Sequence, residues 1–213
     1  MKTAVVLGAS GGLGKAIVEM LLSENFEVIG TYYSTKPENN FSKNITFHHL
    51  DISDKKSIDE FYDMIKDKKI DFFTNTIANS LNLKTFDKLE PEDYEEDIKN
   101  NLLNQVYLLK KVIHQFNVQS DIVFILTKAI IGNPPRAFSS YVVSKFALLG
   151  LMKSLAVELK NIKVNAVSPG MMDTKFVPEF LKRFSTDLTK PEEVANEIKK
   201  IIHSKETGRN ISV

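Results

Sequence analysis

The sequence predicts a doubly wound α/β domain, a mostly parallel seven-stranded sheet with helices on both faces. Three observations predict it. Short runs rich in β-branched residues alternate with longer segments of helical period along the chain. Those runs are apolar throughout, without in/out alternation, as strands covered on both faces require. A glycine cluster from Gly8 to Gly14 stands directly between the first strand and the first helix. The 213 residues, 43% hydrophobic and 26% charged, suffice for one well-filled core, so 1–213 is expected to form a single domain.

Thr3–Leu7 reads as the first strand, Gly12–Glu24 as a helix and Phe26–Thr31 as the second strand, together one βαβ unit. Ile45–His49 follows as the third strand, Ser57–Asp67 as a helix and Ile70–Thr74 as the fourth strand. A long helix is expected over Glu92–Phe116. The acids at its start, Glu90, Glu92, Asp93, Glu95, Glu96 and Asp97, suit the positive end of a helix dipole and read as structural. Ile122–Leu126 is the fifth strand, and a helix over Ser139–Leu159, a strand Lys163–Val167, a helix Pro191–His203 and a last run Asn210–Val213 complete the alternation. Residues 171–190 are the longest stretch outside it. Following a strand of an open sheet, they stand where a substrate lid would sit.

Composition excludes several function classes. Lys plus Arg number 28 against 27 Asp plus Glu, a net charge of +1, so nucleic acid and membrane are not expected partners. Cysteine is absent, which removes disulfides, thiolate metal sites and cysteine nucleophiles and fits a reducing compartment. The apolar run Ala4–Leu7 is too short for a signal or membrane segment, and a cytoplasmic location is expected. His48, His49 and Asp51 do not predict a metal site, because adjacent residues on a strand point to opposite faces.

The run Gly8-Ala9-Ser10-Gly11-Gly12-Leu13-Gly14 sits where a dinucleotide pyrophosphate meets free backbone N–H groups and a positive helix end. Further along, Lys145 lies four residues after Tyr141 in a helical segment, so both project from one face. A nearby ammonium stabilises phenolate and makes a tyrosine a usable acid near neutrality. With Asp51-Ile52 after the third strand, Asn75 after the fourth, Asn101 in the long helix, and Asn165, Pro169-Gly170 and Thr174 beyond, the chain resembles the short-chain dehydrogenase/reductase family. It is most similar to carbonyl reductases of the 3-oxoacyl-carrier-protein reductase type.

The resemblance implies a Rossmann fold and an NAD(P)-dependent reductase acting on a small carbonyl or alcohol substrate, apolar or acyl-type. Tyr141 would be the general acid at the carbonyl oxygen, Lys145 would hold the nicotinamide ribose and lower the tyrosine pKa, and Asn101 would hold a water behind the lysine. The cofactor would lie on Gly8, Ser10, Gly11, Gly12, Leu13 and Gly14, with Tyr32 and Ser34 at the end of the second strand. Asp51 and Ile52 would meet the adenine, Asn75 and Thr76 the middle of the cofactor, and Pro169, Gly170, Met172 and Thr174 the nicotinamide end.

Departures from the family pattern matter. The serine expected at the end of the fifth strand is missing from Phe124-Ile125-Leu126-Thr127-Lys128-Ala129, and Thr127 is the candidate to supply its hydroxyl. The segment Asn75-Thr76-Ile77-Ala78 is bulkier than usual where backbone approaches the cofactor. These two changes motivate the alternative of a dinucleotide-binding sensor or scaffold without turnover. No carboxylate occupies Gly30–Lys36, while Ser34, Thr35 and Lys36 can donate to a phosphate, which favours NADPH over NADH.

In the lid stretch, Phe176, Phe180 and Phe184 at four-residue spacing predict a short helix with one aromatic face, joining Met171, Met172 and Ile130 around an apolar pocket. Lys182 and Arg183 are candidates to steer an anionic group. The helix over Ser139–Leu159 is apolar around much of its circumference, and with Glu92–Phe116 it predicts a homodimer or homotetramer.

Overall fold

A computed structural model describes residues 1–37, 43–78, 81–183 and 187–213. Its seven strands are β1 Lys2–Leu7, β2 Phe26–Tyr32, β3 Ile45–His49, β4 Ile70–Asn75, β5 Phe116–Ile125, β6 Ile162–Ser168 and β7 Asn210–Ser212. They form one sheet in the order β3-β2-β1-β4-β5-β6-β7, and every neighbouring pair is parallel. Helices α1 Gly12–Ser23 and α7 Pro191–His203 cover one face. Helices α2 Lys55–Ile65, α3 Pro91–Ile98, α4 Asn104–Val112 and α5 Ser139–Glu158 cover the other, and the short α6 Glu179–Lys182 follows β6.

The apolar strands explain the two cores. Val5, Leu7, Phe73, Ile122, Phe124 and Val164 face the α2–α5 side, while Ala4, Val6, Val28, Phe72, Val123 and Val167 face α1 and α7. Alternate residues of the same strand therefore serve opposite layers. The chain runs outward from β1 through β2 to β3 and then crosses back to β4 beside β1. That reversal opens a crevice at the carboxyl ends of β1 and β4, the place where open α/β sheets bind ligands.

The helix expected over Glu92–Phe116 runs without a break from Pro91 to Gln115 but changes its winding. It is α3, a π-helical turn over Lys99–Leu103 and α4, ended by a 3-10 turn over Ile113–Gln115. Phe116 already belongs to β5, where it pairs with Ile70 before the register shifts to Phe72↔Asp121. Gln115 fixes the earlier end, because its buried amide donates to the backbone carbonyl of Lys68 at 3.0 Å. The second correction concerns the lid. Pro178 restricts the residue before it to extended backbone and stands at the N-cap of α6, so the helix starts only at Glu179. Phe176 thus lies outside the helix, Phe180 is exposed, and Phe184 is outside the described residues. No shared aromatic face forms among the described residues.

Helix α5 is long and apolar enough, by length and composition, to cross a membrane. Here it packs on the sheet, with Val142, Leu148 and Met152 in the core. Val143, Phe146 and Val157 remain exposed on its other side.

Candidate active site

The loop after β1 is shaped by two demands on its glycines. Gly8 has φ +74°, a left-handed conformation, and a Cβ there would stand 2.8 Å from Thr76 Oγ1 and 3.1 Å from Ile77 Cγ1. Its amide donates to Thr31 Oγ1 at 3.0 Å, and the Gly11 amide closes the turn onto the Gly8 carbonyl at 2.9 Å. At Gly14 a Cβ would meet the Gly8 carbonyl oxygen at 2.2 Å, so α1 can approach the loop only without a side chain. No side chain caps α1, whose first-turn amides face the crevice.

The surroundings of that helix end are polar and incompletely partnered. Thr174 Oγ1 is buried with no hydrogen-bond partner among the described residues, and its methyl lies 3.0 Å from the position of a Cβ on Gly12. Across the crevice, Asn75 accepts from the Ile77 amide at 2.8 Å through Oδ1, while its buried Nδ2 has no partner among the described residues. Thr76 Oγ1 donates to the Leu7 carbonyl at 2.8 Å and ties β4 to β1. A side-chain-free cradle, open helix amides and two orphaned polar groups suit a dinucleotide. Leu13 is buried in the α1 core, so only its backbone is available to such a ligand.

At the end of β2, Tyr32 packs edge-on against His49 with centroids 5.8 Å apart, and Ser34, Thr35 and Lys36 are exposed. Asp51 Oδ1 accepts from the Ser53 amide at 2.9 Å and its hydroxyl at 2.7 Å. Ile52 is largely a core residue. At the other end, the Pro169 carbonyl accepts from the Lys128 amide at 2.8 Å, and the Gly170 amide donates to the Val213 carbonyl at 3.1 Å. Val213, just past β7, therefore braces the Pro169-Gly170 turn. Asn165 is a structural residue: its amide oxygen accepts from the Arg209 backbone at 3.0 Å and its Nδ2 donates to the Glu206 carbonyl at 2.9 Å.

Tyr141 and Lys145 project from α5 toward the end of β5. Lys145 is 5% exposed, donates to the Ile125 carbonyl at 3.1 Å, and has its Nζ 5.5 Å from the Tyr141 ring centroid. Thr127 is brought to the cavity that Tyr141 lines, and its hydroxyl acts to lower the phenol. The Ala129 amide donates to Thr127 Oγ1 at 3.3 Å, a bond that does not use the hydroxyl hydrogen. The structure thus supplies a hydroxyl where the sequence lacks the expected serine.

Burial pushes the Tyr141 phenol up to about 12; the Thr127 hydrogen bond opposes this, and Asp97 adds to it. Burial also pulls the Lys145 ammonium down to about 8, against Asp97. The lowering of the phenol expected from Lys145 is not realised in this structure: burial outweighs the opposing effect of Thr127, and Lys145 is turned over the ring face to the Ile125 carbonyl. Asn101 is buried in the π-helical turn between α3 and α4, with its carbonyl taken by Gln105 Nε2 at 2.7 Å. π-Helical turns inside α-helices often mark functional positions.

Tyr141 opens onto a cavity of about 260 Å³ lined mainly by apolar residues, among them Leu81, Met171, Met172, Phe176 and Leu181. Phe176 approaches Tyr141 with ring centroids 6.3 Å apart. Ile130, expected in the lining, lies instead in the core. Lys182 is held by Asp173 at 2.9 Å and Glu179 at 2.7 Å, which removes it from steering a ligand. The sequence reading missed Lys128 and Asn133, which line the cavity, and Leu81 from the β4 loop. It also placed Asp97 with the helix-start acids, although the structure buries it. The signal for Asp97 was its position one turn before Asn101.

A model of the short chain dehydrogenase family matches residues 2–184. Among curated proteins, the chain is similar to the 3-oxoacyl-(acyl-carrier-protein) reductase FabG of Buchnera aphidicola subsp. Schizaphis graminum. The two are 36% identical over 183 residues, 81% of this chain and 74% of that protein. It is also similar to the short chain dehydrogenase ple7 of Rhodocybe pseudopiperita, 32% identical over 197 residues, 89% of this chain and 75% of that one. Among solved structures, a short chain dehydrogenase family protein from Francisella tularensis superposes with a TM-score of 0.87 at 25% identity, covering 100% of this chain and 97% of that chain.

Proposed function

The chain belongs to the short-chain dehydrogenase/reductase family of NAD(P)-dependent oxidoreductases, and we propose that it reduces a ketone or 3-oxoacyl-type carbonyl to the alcohol with NADPH. The carrying observation is the meeting of the Tyr141 phenol and the Thr127 hydroxyl at the wall of an apolar cavity, with Lys145 buried beside the phenol. The open end of α1, Thr174, Asn75 and the Pro169-Gly170 turn hold the dinucleotide, which supplies hydride to the carbonyl carbon when bound.

The protein's own part is proton delivery and polarisation. A phenol held near 12 stays protonated across the neutral range and gives its proton to the carbonyl oxygen as negative charge develops there. Thr127 donates a hydrogen bond to the same oxygen once the substrate takes its place beside the phenol. Lys145, as the ammonium, favours the phenolate left behind, and Asn101 holds a water behind it. This convergence favours turnover over dinucleotide binding alone.

The direct test follows NADPH and NADH oxidation across ketones, aldehydes and 3-oxoacyl thioesters. NADPH is expected to give the higher kcat/KM, since no carboxylate stands at the end of β2 among the described residues and Ser34 and Lys36 are exposed. Ser34→Asp is expected to lower NADPH kcat/KM by about tenfold or more while sparing NADH, through repulsion of the 2′-phosphate.

The cavity also limits the substrate. Its charged lining residue is Lys128, whose Nζ lies 3.9 Å from the position of a Cβ on Gly170. An acyl substrate bearing an anionic group is therefore favoured. Lys128→Met is expected to raise KM for a short 3-oxo acid by about tenfold, the scale of one lost charge-assisted contact, and to leave KM for its methyl ester unchanged. The exposed Val143 and Phe146 of α5, with Leu103 beside α4, support a homodimer or homotetramer built on these helices.

A further inference from the structure

A second cavity adjoins the one onto which Tyr141 opens. It has a volume of about 310 Å³ and is lined by Phe86, Pro134, Pro135, Arg136, Ala137 and Phe138, among others. Pro135 and Phe138 line the first cavity as well. Pro135 is exposed, so the two cavities meet across it at the protein surface and a chain can pass over it from one to the other. Phe138 underlies that passage and packs edge-on against the Tyr141 ring, centroids 6.2 Å apart. Each cavity alone is at the small end for a ligand site, and joined they have an ordinary size.

The walls of the second cavity are fixed from α3. The segment after β4, which carries Leu81 into the first cavity and Phe86 into the second, is pinned by Asp93. That carboxylate accepts from Asn82 Nδ2 at 2.6 Å, Lys84 Nζ at 3.0 Å and the Glu90 amide at 2.9 Å. On the opposite wall, the start of α5 is tied to the same helix, with the Tyr94 hydroxyl 3.0 Å from Ser139 Oγ. Between them Ala137 holds φ +67°, a strained conformation that persists where the surrounding fold imposes it. It separates the exposed Arg136 from the buried Phe138. Phe86, 79% exposed on the 3-10 turn Phe86–Lys88, thus joins Pro134 and Pro135 in one apolar surface held open to water.

Charge defines what would fill this space. Lys128 is the charged residue of the first cavity and Arg136 that of the second, and no carboxylate lines either among the described residues. Neither side chain takes part in an ion pair or hydrogen bond among the described residues. A guanidinium fork matches a carboxylate or a phosphate.

We propose that the two cavities form one elongated substrate site, which takes an acyl chain with an anionic group at each end. One anion meets Lys128, the apolar chain crosses Pro135 and Phe138, and the distal carboxylate or phosphate pairs with Arg136. The inference rests on the reductase reading above, which places the carbonyl at Tyr141. Arg136 is then a specificity-determining residue that acts on binding and leaves the proton transfer alone.

Ligands without a ketone separate this site from turnover. Linear α,ω-dicarboxylates of increasing length, their monomethyl esters and the matching ω-phosphorylated acids are titrated into the full chain with NADPH by calorimetry. Monoester affinity is expected to rise about two- to fourfold per methylene while the chain fills the second cavity. At the length that reaches Arg136, the dianion is expected to bind about fivefold more tightly than the monoester, the upper range for an exposed ion pair. Added salt should shrink that gain. Arg136→Met is expected to erase it and Arg136→Lys to keep part. Lys88→Met, on the neighbouring turn and outside both cavities, is expected to keep it. The larger gain, carboxylate or phosphate, identifies the distal anion. For the corresponding 3-oxo dianions, Arg136→Met should raise KM by the same factor with kcat held. No gain at any length, a gain that survives Arg136→Met, or one lost equally in Lys88→Met would overturn the proposal. Turnover of short 3-oxo acids without the gain rejects the elongated site and leaves the reductase reading in place. The Arg136-dependent gain without turnover of any carbonyl rejects the reductase reading and leaves the two-anion site in place.

Discussion

Tyr141→Phe is expected to abolish carbonyl reduction, lowering kcat by about 10²–10⁴-fold, the usual contribution of a positioned general acid. The substitution removes one oxygen and little else. The ring keeps its edge-on contact with Phe138, centroids 6.2 Å apart, and its contact with Phe176. The Thr127 hydroxyl retains the Ala129 amide. The fold and NADPH affinity should therefore stay close to native, which thermal melts and fluorescence titration with NADPH will check. Full turnover in Tyr141→Phe would mean that the proton comes from another group, and the proposed chemistry would fail at its first step. Loss of turnover with intact NADPH binding would fix the acid at the phenol oxygen.

How much of this arrangement was legible in the sequence depends on the range of the interaction. The strands were readable because burial on both faces demands continuous apolar runs, and Val5, Val6 and Leu7 are all fully buried. Tyr141 and Lys145 were readable because a helix sets their common face locally. The π-helical turn at Asn101 was not, since Lys99–Leu103 carries no residue that a regular helix would refuse. Nor was the start of β5 at Phe116, which depends on Gln115 reaching a carbonyl after α2 and on Gln119 accepting φ 64°. The aromatic lid face failed on a local signal, Pro178, that outweighs four-residue spacing. Asp97 was grouped with the acids at the helix start, because its burial is created by α5, far along the chain. Thr127 needed the same tertiary contact: only the folded loop shows that it lines the same cavity as Tyr141.

The second large effect is expected at Gly14, where replacement by alanine should disable dinucleotide binding. The new Cβ would lie 2.2 Å from the Gly8 carbonyl oxygen and 2.8 Å from Ala9 Cα, both backbone atoms. Neither can yield freely. Gly8 is held by the Thr31 hydroxyl, the Gly11 turn and Thr76, and its positive φ leaves little room to rearrange. The loop must shift away from α1, which disturbs both the helix amides and the crevice opposite Asn75. Overpacking of this kind costs about 1–3 kcal/mol, so Tm should fall by roughly 3–10 °C at this chain length. NADPH affinity should drop by about a hundredfold if some 2.7 kcal/mol of the loop's binding geometry is lost. The comparison that isolates the cause uses two other glycines. Gly12→Ala meets only the Thr174 methyl at 3.0 Å, a side chain that can give way, so its loss of affinity should be smaller. Gly132→Ala meets nothing within 4 Å and should change neither Tm nor affinity. The order Gly14, Gly12, Gly132 in NADPH affinity, read by fluorescence titration, ties binding to the cradle at the end of β1. Equal affinities in all three would place the dinucleotide elsewhere and remove the geometric basis for hydride delivery at Tyr141.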